Sequence, residues 1–283
     1  MKKILLLFMA CATVLSVHAQ VNTPQPSPAA KLEQKVGLTD ITLEYSRPGV
    51  KGRSIFGDLV PYDKLWRTGA NKNTTVTFST DAVIDGYKLK AGSYAIFAKP
   101  GESLWKVYFY SDTENWGTPK KWDDSKVVAV TSVKAHEVPF NVETFTLDIN
   151  SITNGGAQIE LIWEKTYIAI PFTVPTDNAV LASINDVLGG SPKASDYYAS
   201  ASYYLQEGKN PKQAMEWIDK AVEMTKEKPL FYYIRKQSLI HAKAGDSKGA
   251  IAAARKSLEL AKIAGNDDYV KMNQDSLNEW LGE

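Results

Sequence analysis

Three of the chain's five arginines, Arg47, Arg53 and Arg67, fall within residues 45–71, YSRPGVKGRSIFGDLVPYDKLWRTGAN. Arginine is the residue for a planar, permanently charged fork that meets a carboxylate, a phosphate or main-chain carbonyls in fixed geometry. Around the three stand Gly49, Gly52, Gly57 and Gly69 with Pro48 and Pro61, the composition of a loop held in one defined shape. In a binding reading the arginines converge on an anionic ligand, Asn71 adds directional hydrogen bonds, and Trp66 or Tyr62 forms an apolar wall. In a structural reading each arginine meets Glu44, Asp58 or Asp63, or ties down the carbonyls of a long loop. The two readings are compatible, with some arginines structural and one exposed. A phosphate-cradling Walker loop is excluded. Gly52-Arg53-Ser54 lacks the upstream glycine at the required spacing, and no helix clearly follows.

A second polar loop, residues 110–122, YSDTENWGTPKKW, carries Trp116 and Trp122. Exposed rings there can stack on the C–H face of a sugar, or they can fold back as lids over the edge of a sheet. Trp105 and Trp163 alternate with strand neighbours and read as core or edge packing. Asp112, Glu114, Asp123 and Asp124 lack calcium-loop spacing and read as solvated acids, so no metal and no cofactor are expected. His136 and His241 are the histidines beyond residue 19, too few for a histidine-rich zinc site. No G-x-S-x-G or H-E-x-x-H motif is present. A triad using His136, or a carboxylate pair for glycoside cleavage, stays open on sequence alone.

Residues 1–19 read as a secretory signal. Lys2 and Lys3 are followed by an apolar run over 4–17 and by Val17-His18-Ala19, with cleavage expected after Ala19. The apolar run is too short to span a bilayer, and no later run reads as a transmembrane segment. The chain's one cysteine, Cys11, lies inside this signal, and Phe8-Met9-Ala10 before it argues against a lipid anchor there. Cleavage would leave no thiol for disulfides, catalysis or metal binding. It would also shift the formal charge from +1 to −1, which gives nucleic acid no basic face to bind. The expected compartment is periplasmic or secreted.

The elements that must position these residues change period along the chain. Residues 20–30 form a proline-rich leader. From 31 to 175 the pattern alternates, with strands expected at 41–45, 75–79, 87–89, 93–98, 105–110, 126–136, 144–149, 158–163 and 167–174. Lys90-Ala91-Gly92 reads as a hairpin turn, and Asn154-Gly155-Gly156 as a second turn. Such a run of short strands predicts an all-β antiparallel sandwich, jelly-roll-like. From 176 to 283 alanines recur at helical spacing, and Asn210-Pro211-Lys212-Gln213 reads as a helix start. Ala214, Ala221 and Gly208 find counterparts in Ala250, Ser257 and Gly245. This weak repeat of 36–37 residues resembles tetratricopeptide repeats. Helices at 178–188 and 268–281 are expected to cap the stack. The aromatics Tyr197, Tyr198, Tyr203, Tyr204, Phe231, Tyr232 and Tyr233 either fill its core or line a groove for a protein or peptide partner.

The elements YSRP, KGR, FGDLVPYDKLWRTGAN, AGSY and WG together resemble a bacterial family, the domain of unknown function numbered twenty-nine-eleven, over about residues 27–173. That resemblance implies a β-rich envelope domain, often followed by a helical tail, and implies no activity. The leading expectation is therefore a non-enzymatic envelope protein. Its β domain takes an anionic or sugar-bearing ligand through Arg47, Arg53, Trp66, Arg67, Asn71 and Trp116, and its tail takes a protein partner. The alternative is an envelope hydrolase acting on a glycan or peptide. A third reading makes residues 45–71 a folding device.

Overall fold

The computed structural model describes residues 23–282; the signal sequence, Cys11 and the cleavage position lie outside them. The chain divides into two compact units, one ending at Thr176 and the next beginning at Asp177. Among the described residues the first unit holds ten strands in two antiparallel sheets. One has the order β1 (Ala29–Val36), β2 (Thr39–Ser46), β3 (Thr74–Phe78), β6 (Gly92–Lys99), β7 (Leu104–Tyr110), β8 (Val127–Lys134). The other has the order β5 (Tyr87–Leu89), β4 (Ala82–Ile84), β10 (Gly156–Thr173), β9 (His136–Asn150).

The alternation in the sequence is the cause of this layering. Ile41, Leu43 and Tyr45 of β2 are buried, while Asp40 before them and Glu44 between Leu43 and Tyr45 are exposed. Side chains from both sheets join one core, with Val76, Trp105 and Phe109 from the larger sheet meeting Phe145, Leu161 and Trp163 from the smaller. That is an antiparallel sandwich, as the pattern predicts.

Three local expectations change. Lys90-Ala91-Gly92 is not a hairpin, because β5 pairs with β4 whereas β6 pairs with β3 and β7 in the other sheet. Asp81 turns this corner, bonding the Ala91 N–H at 3.1 Å and the Lys90 ammonium at 2.8 Å. The hairpin lies one strand earlier, at Asp85-Gly86, where both residues have positive φ (49° and 81°) and Ile84 faces Tyr87. Two consecutive left-handed residues are what a two-residue hairpin turn requires. The strands expected at 158–163 and 167–174 are one strand, β10, with a register shift around Glu164 (φ 54°). The run expected at 126–136 divides at Ala135, where β9 begins anew at His136.

The second unit holds six helices: α1 (Thr176–Gly189), α2 (Ala194–Gln206), α3 (Pro211–Met224), α4 (Phe231–Ala244), α5 (Ser247–Ile263) and α6 (Asp267–Leu281). The Asn210 side chain accepts from the Gln213 N–H, with Pro211 at the first helical position. From α2 onward successive helices pack on one another, and α2, α4 and α6 also touch in series. The repeated small residues sit at these contacts. Ala214, Ala221, Ala250 and Ser257 are all buried, and Gly208 and Gly245 both take the left-handed conformation that ends a helix. Among the described residues no helix is long and apolar enough to cross a membrane.

Candidate functional site

The arginine-rich segment is the long connection between β2 and β3, residues 47–73. Irregular loops of this length are uncommon in compact domains unless they serve a site. Its entry is stitched to β9 by Val50 N–H donating to Glu143 O (2.7 Å) and Phe145 N–H donating to Pro48 O (2.9 Å). Ile55 and Val60 bury their side chains in the sandwich core. Further on, Trp66 bridges Ala98 of β6 through bonds of 2.8 and 2.9 Å, taking the place β3 leaves beyond its last pair with Ile96. Four non-glycine residues here, Lys51, Asp63, Thr68 and Asn71, have φ between 50° and 59°. For β-branched Thr68 that is costly, and such strain persists only where surrounding structure enforces it.

The six residues singled out from the sequence have different fates. Arg47 is half-buried and occupied, with Nε donating to Phe145 O at 3.1 Å and Nη2 to Thr146 Oγ1 at 2.7 Å. Arg53 is exposed and closes its own turn, Nε to Val50 O at 3.0 Å and Nη2 to Gly49 O at 2.6 Å. These use two of its five N–H donors. Asn71 donates through Nδ2 to Ser27 O at 3.1 Å, so it positions the leader. Trp66 donates Nε1–H to Gly69 O at 3.1 Å, and its ring lies in an aromatic cluster with Phe56, Trp105, Phe145 and Trp163, stacked on Trp163 at 6.1 Å. Trp116 is 79% exposed and does not line the cleft described next, although its neighbour Gly117 packs beside the Arg67 guanidinium. Arg67 is the exception: its Nε is buried and finds no acceptor among the described residues.

Arg67, Arg53, Lys51 and Trp66 line a cleft of about 360 Å³ together with Pro26, Ser27, Pro48, Leu59, Val60, Gly69, Ala70 and Trp163. No Asp or Glu is among these residues; the nearby Glu143 carboxylate is held at the rim by the Lys51 N–H at 2.8 Å. Trp163 is the contributor that sequence reading assigned to packing alone. It is 1% exposed, yet its indole N–H has no acceptor among the described residues. A buried donor without a partner is rare and calls for an explanation. The cleft thus combines cations, unused donors and apolar walls, and it is in the size range of small-molecule sites.

Residues 27–172 match the family of proteins of unknown function DUF2911. The chain belongs to this family. The DUF2911 region contains every side chain of the cleft except Pro26, and it ends before the helical unit. No curated protein and no solved structure matches the chain.

Beside the DUF2911 cleft, the 110–122 loop is tied to partners on flanking segments. Trp122 folds back, stacked on Tyr110 at 4.6 Å and edge-on to Phe97 and Tyr108, with its N–H on Asp124 at 2.8 Å. Asp112 pairs with Lys126 at 2.7 Å, and that bond holds its carboxyl below the usual carboxylate range. Glu114 pairs with Lys72 at 3.0 Å, with the same effect and cause. Among the described residues no cluster of three or more His, Cys, Asp or Glu side chains is placed to hold a metal ion.

In the helical unit the aromatic pairs divide as adjacent helical residues must. Tyr197 and Tyr233 are buried, whereas Tyr232 is 36% exposed. Tyr198 of α2 stacks on Tyr233 of α4 at 4.1 Å, and Phe231 of α4 meets Tyr269 of α6 edge-on at 4.9 Å. His241 of α4 is held by two carboxylates, Asp219 of α3 at Nε2 and Asp246, the N-cap of α5, at Nδ1, both at 2.8 Å. Burial lowers the imidazole's proton affinity, but the two carboxylates together raise it above its ordinary value.

Proposed function

We propose that this protein is a non-enzymatic, exported ligand-binding protein. Its β unit takes a small ligand in the Arg67 cleft, and its helical unit offers an interaction surface to a protein partner. The observation that carries the reading is the pair of buried, unpartnered donors on one cationic cleft, Arg67 Nε and Trp163 Nε1. The other two arginines of the segment spend donors on the loop's own carbonyls and on β9, which builds the cleft wall around the one left free. The hydrolase alternative calls for two carboxylates facing each other in a cleft, one with a raised pKa. A cleft lined by donors and no carboxylate suits recognition better than acid/base cleavage. Export rests on residues 1–19 alone, through their charged start, apolar run and Ala19 cleavage motif.

The test is the melting temperature of the purified protein against phosphates, organic acids, peptides and envelope glycans, with the Arg67→Met protein alongside. A ligand at about 100 times its Kd adds about 2.7 kcal/mol. A shift that the variant loses, while melting normally by itself, supports the cleft. A variant that melts much lower unliganded, with no shift in the parent for any compound, makes Arg67 structural and overturns the reading.

A further inference from the structure

The geometry points to a small organic oxyanion as the ligand of this cleft, a carboxylate or phosphate group carried on a compact body. Trp163 and the main chain at Gly69 and Ala70 bind it together with Arg67. The inference rests on the cleft being a binding site, and it names the ligand's chemistry.

The first ground is the balance of donors and acceptors. Lys51, Arg53 and Arg67 bring only donors, and no carboxylate or amide side chain lines the cleft. A neutral sugar donates through each hydroxyl and needs acceptors; an oxyanion only accepts. The second ground is Trp163. An indole nitrogen donates and never accepts, and this one is fixed in a 1% exposed ring with no acceptor among the described residues. The buried Arg67 Nε, equally unpartnered, makes the same demand with a positive charge.

The third ground is the backbone between the two. Among the described residues, no main-chain N–H from Arg67 to Lys72 donates a hydrogen bond. Thr68, Gly69 and Asn71 have φ of 55°, 140° and 59°. Left-handed residues interspersed in a turn direct successive N–H groups to one side, the concavity in which backbones hold anions. A side chain at Gly69 would be tight as well as strained, since a Cβ would lie 3.1 Å from Thr74 Oγ1 and 3.2 Å from Ser46 O. Pro48, Leu59, Val60 and Trp66 supply the apolar surface for the body that carries the anionic group. An oxyanion seated here supplies the acceptors that the described residues do not.

The experiment is titration calorimetry of the purified protein with matched pairs: D-glucuronate against D-glucose, and benzoate against benzyl alcohol. Phenyl phosphate and glucose 6-phosphate form the phosphate arm. Trp163→Phe removes the N–H and keeps a ring; Arg67→Lys keeps the charge and removes Nε. The expected result is binding of at least one oxyanion, with its neutral twin at least about 10-fold weaker and each variant weakened about 10- to 100-fold. The tighter arm identifies carboxylate or phosphate as the source. Should Trp163→Phe fail to fold, Arg67→Lys decides. A neutral twin that binds as tightly as its anion, or variants that bind as the parent does, overturns the oxyanion assignment and leaves the cleft a ligand site. A compound from the wider melting panel that is neutral, and whose shift Arg67→Met abolishes, likewise overturns the oxyanion assignment alone. No binding by any probe in either experiment overturns both readings.

Discussion

Replacing Arg47 by methionine should destabilise the β unit, whereas the same change at Arg67 should leave its melting nearly unchanged. The two arginines share one loop and one residue type, but Arg47 donates to Phe145 O and Thr146 Oγ1 while Arg67 Nε donates to nothing among the described residues. Hydrogen bonds from a charged group contribute about 1.5–3 kcal/mol each. Taking the lower end for both Arg47 bonds gives about 3 kcal/mol. Arg47 is half-buried, so solvent screening reduces this to about 2 kcal/mol. Methionine keeps the apolar stem, so the loss is that of the donors. For a unit of this size, 1 kcal/mol moves Tm by about 2–4 °C, which predicts a fall of about 4–8 °C. At Arg67 the change removes a buried donor that has no partner, so the unliganded protein should stay within about 0.5 kcal/mol, or about 2 °C. Scanning calorimetry is the assay, because two units can melt separately and one overall midpoint would blur them. An Arg47→Met protein that melts with the parent, or an Arg67→Met protein that loses as much as Arg47→Met, would refute this division of labour.

Three more outcomes are expected. His241 has a raised proton affinity in the fold, so its stabilisation is complete below the unfolded value of about 6.5 and is lost as pH rises through the higher folded value. The helical unit followed by circular dichroism should therefore lose Tm as pH rises above about 6.5, and a His241→Gln protein should show a flatter profile. Gly249→Ala should destabilise that unit in urea, because a Cβ there overlaps Asp246 and His241 by more than alanine's helix propensity, about 1 kcal/mol, can offset; a more stable variant would contradict the clamp. Asn71→Ala frees the Ser27 carbonyl, so proteinase K should cut the leader near Pro26 several-fold faster while the sandwich stays intact, and an unchanged cutting rate would show that Asn71 does not hold the leader.

Much of the architecture was legible because it rests on local period. The alternation of Ile41, Leu43 and Tyr45 and the Asn210-Pro211 start each state their element within a few residues. Sheet membership was not. Lys90-Ala91-Gly92 has the composition of a hairpin turn, yet the burial of Leu89 and Tyr94 in one core is equally served by crossing from sheet to sheet. The cleft's main segment was legible in the sequence, but what each arginine in it does was not. Arg47 and Arg67 are indistinguishable in sequence, because what separates them is which carbonyls the folded loop brings within reach. Trp163 was hidden for the opposite reason. Its strand alternation correctly marks a core ring, and nothing in that pattern reveals that its N–H lacks an acceptor.

The sharpest probe of the cleft is the indole N–H region of a proton–nitrogen correlation spectrum, in which the chain's seven tryptophans each give one signal, the Trp163 signal being assigned by its loss in Trp163→Phe. Titration with a binding oxyanion should move the Trp163 signal downfield, as its N–H gains an acceptor, and leave exposed Trp116 where it was. A Trp163 signal that stays fixed while Trp116 moves would place the ligand on the 110–122 loop and contradict the Arg67 cleft as its site.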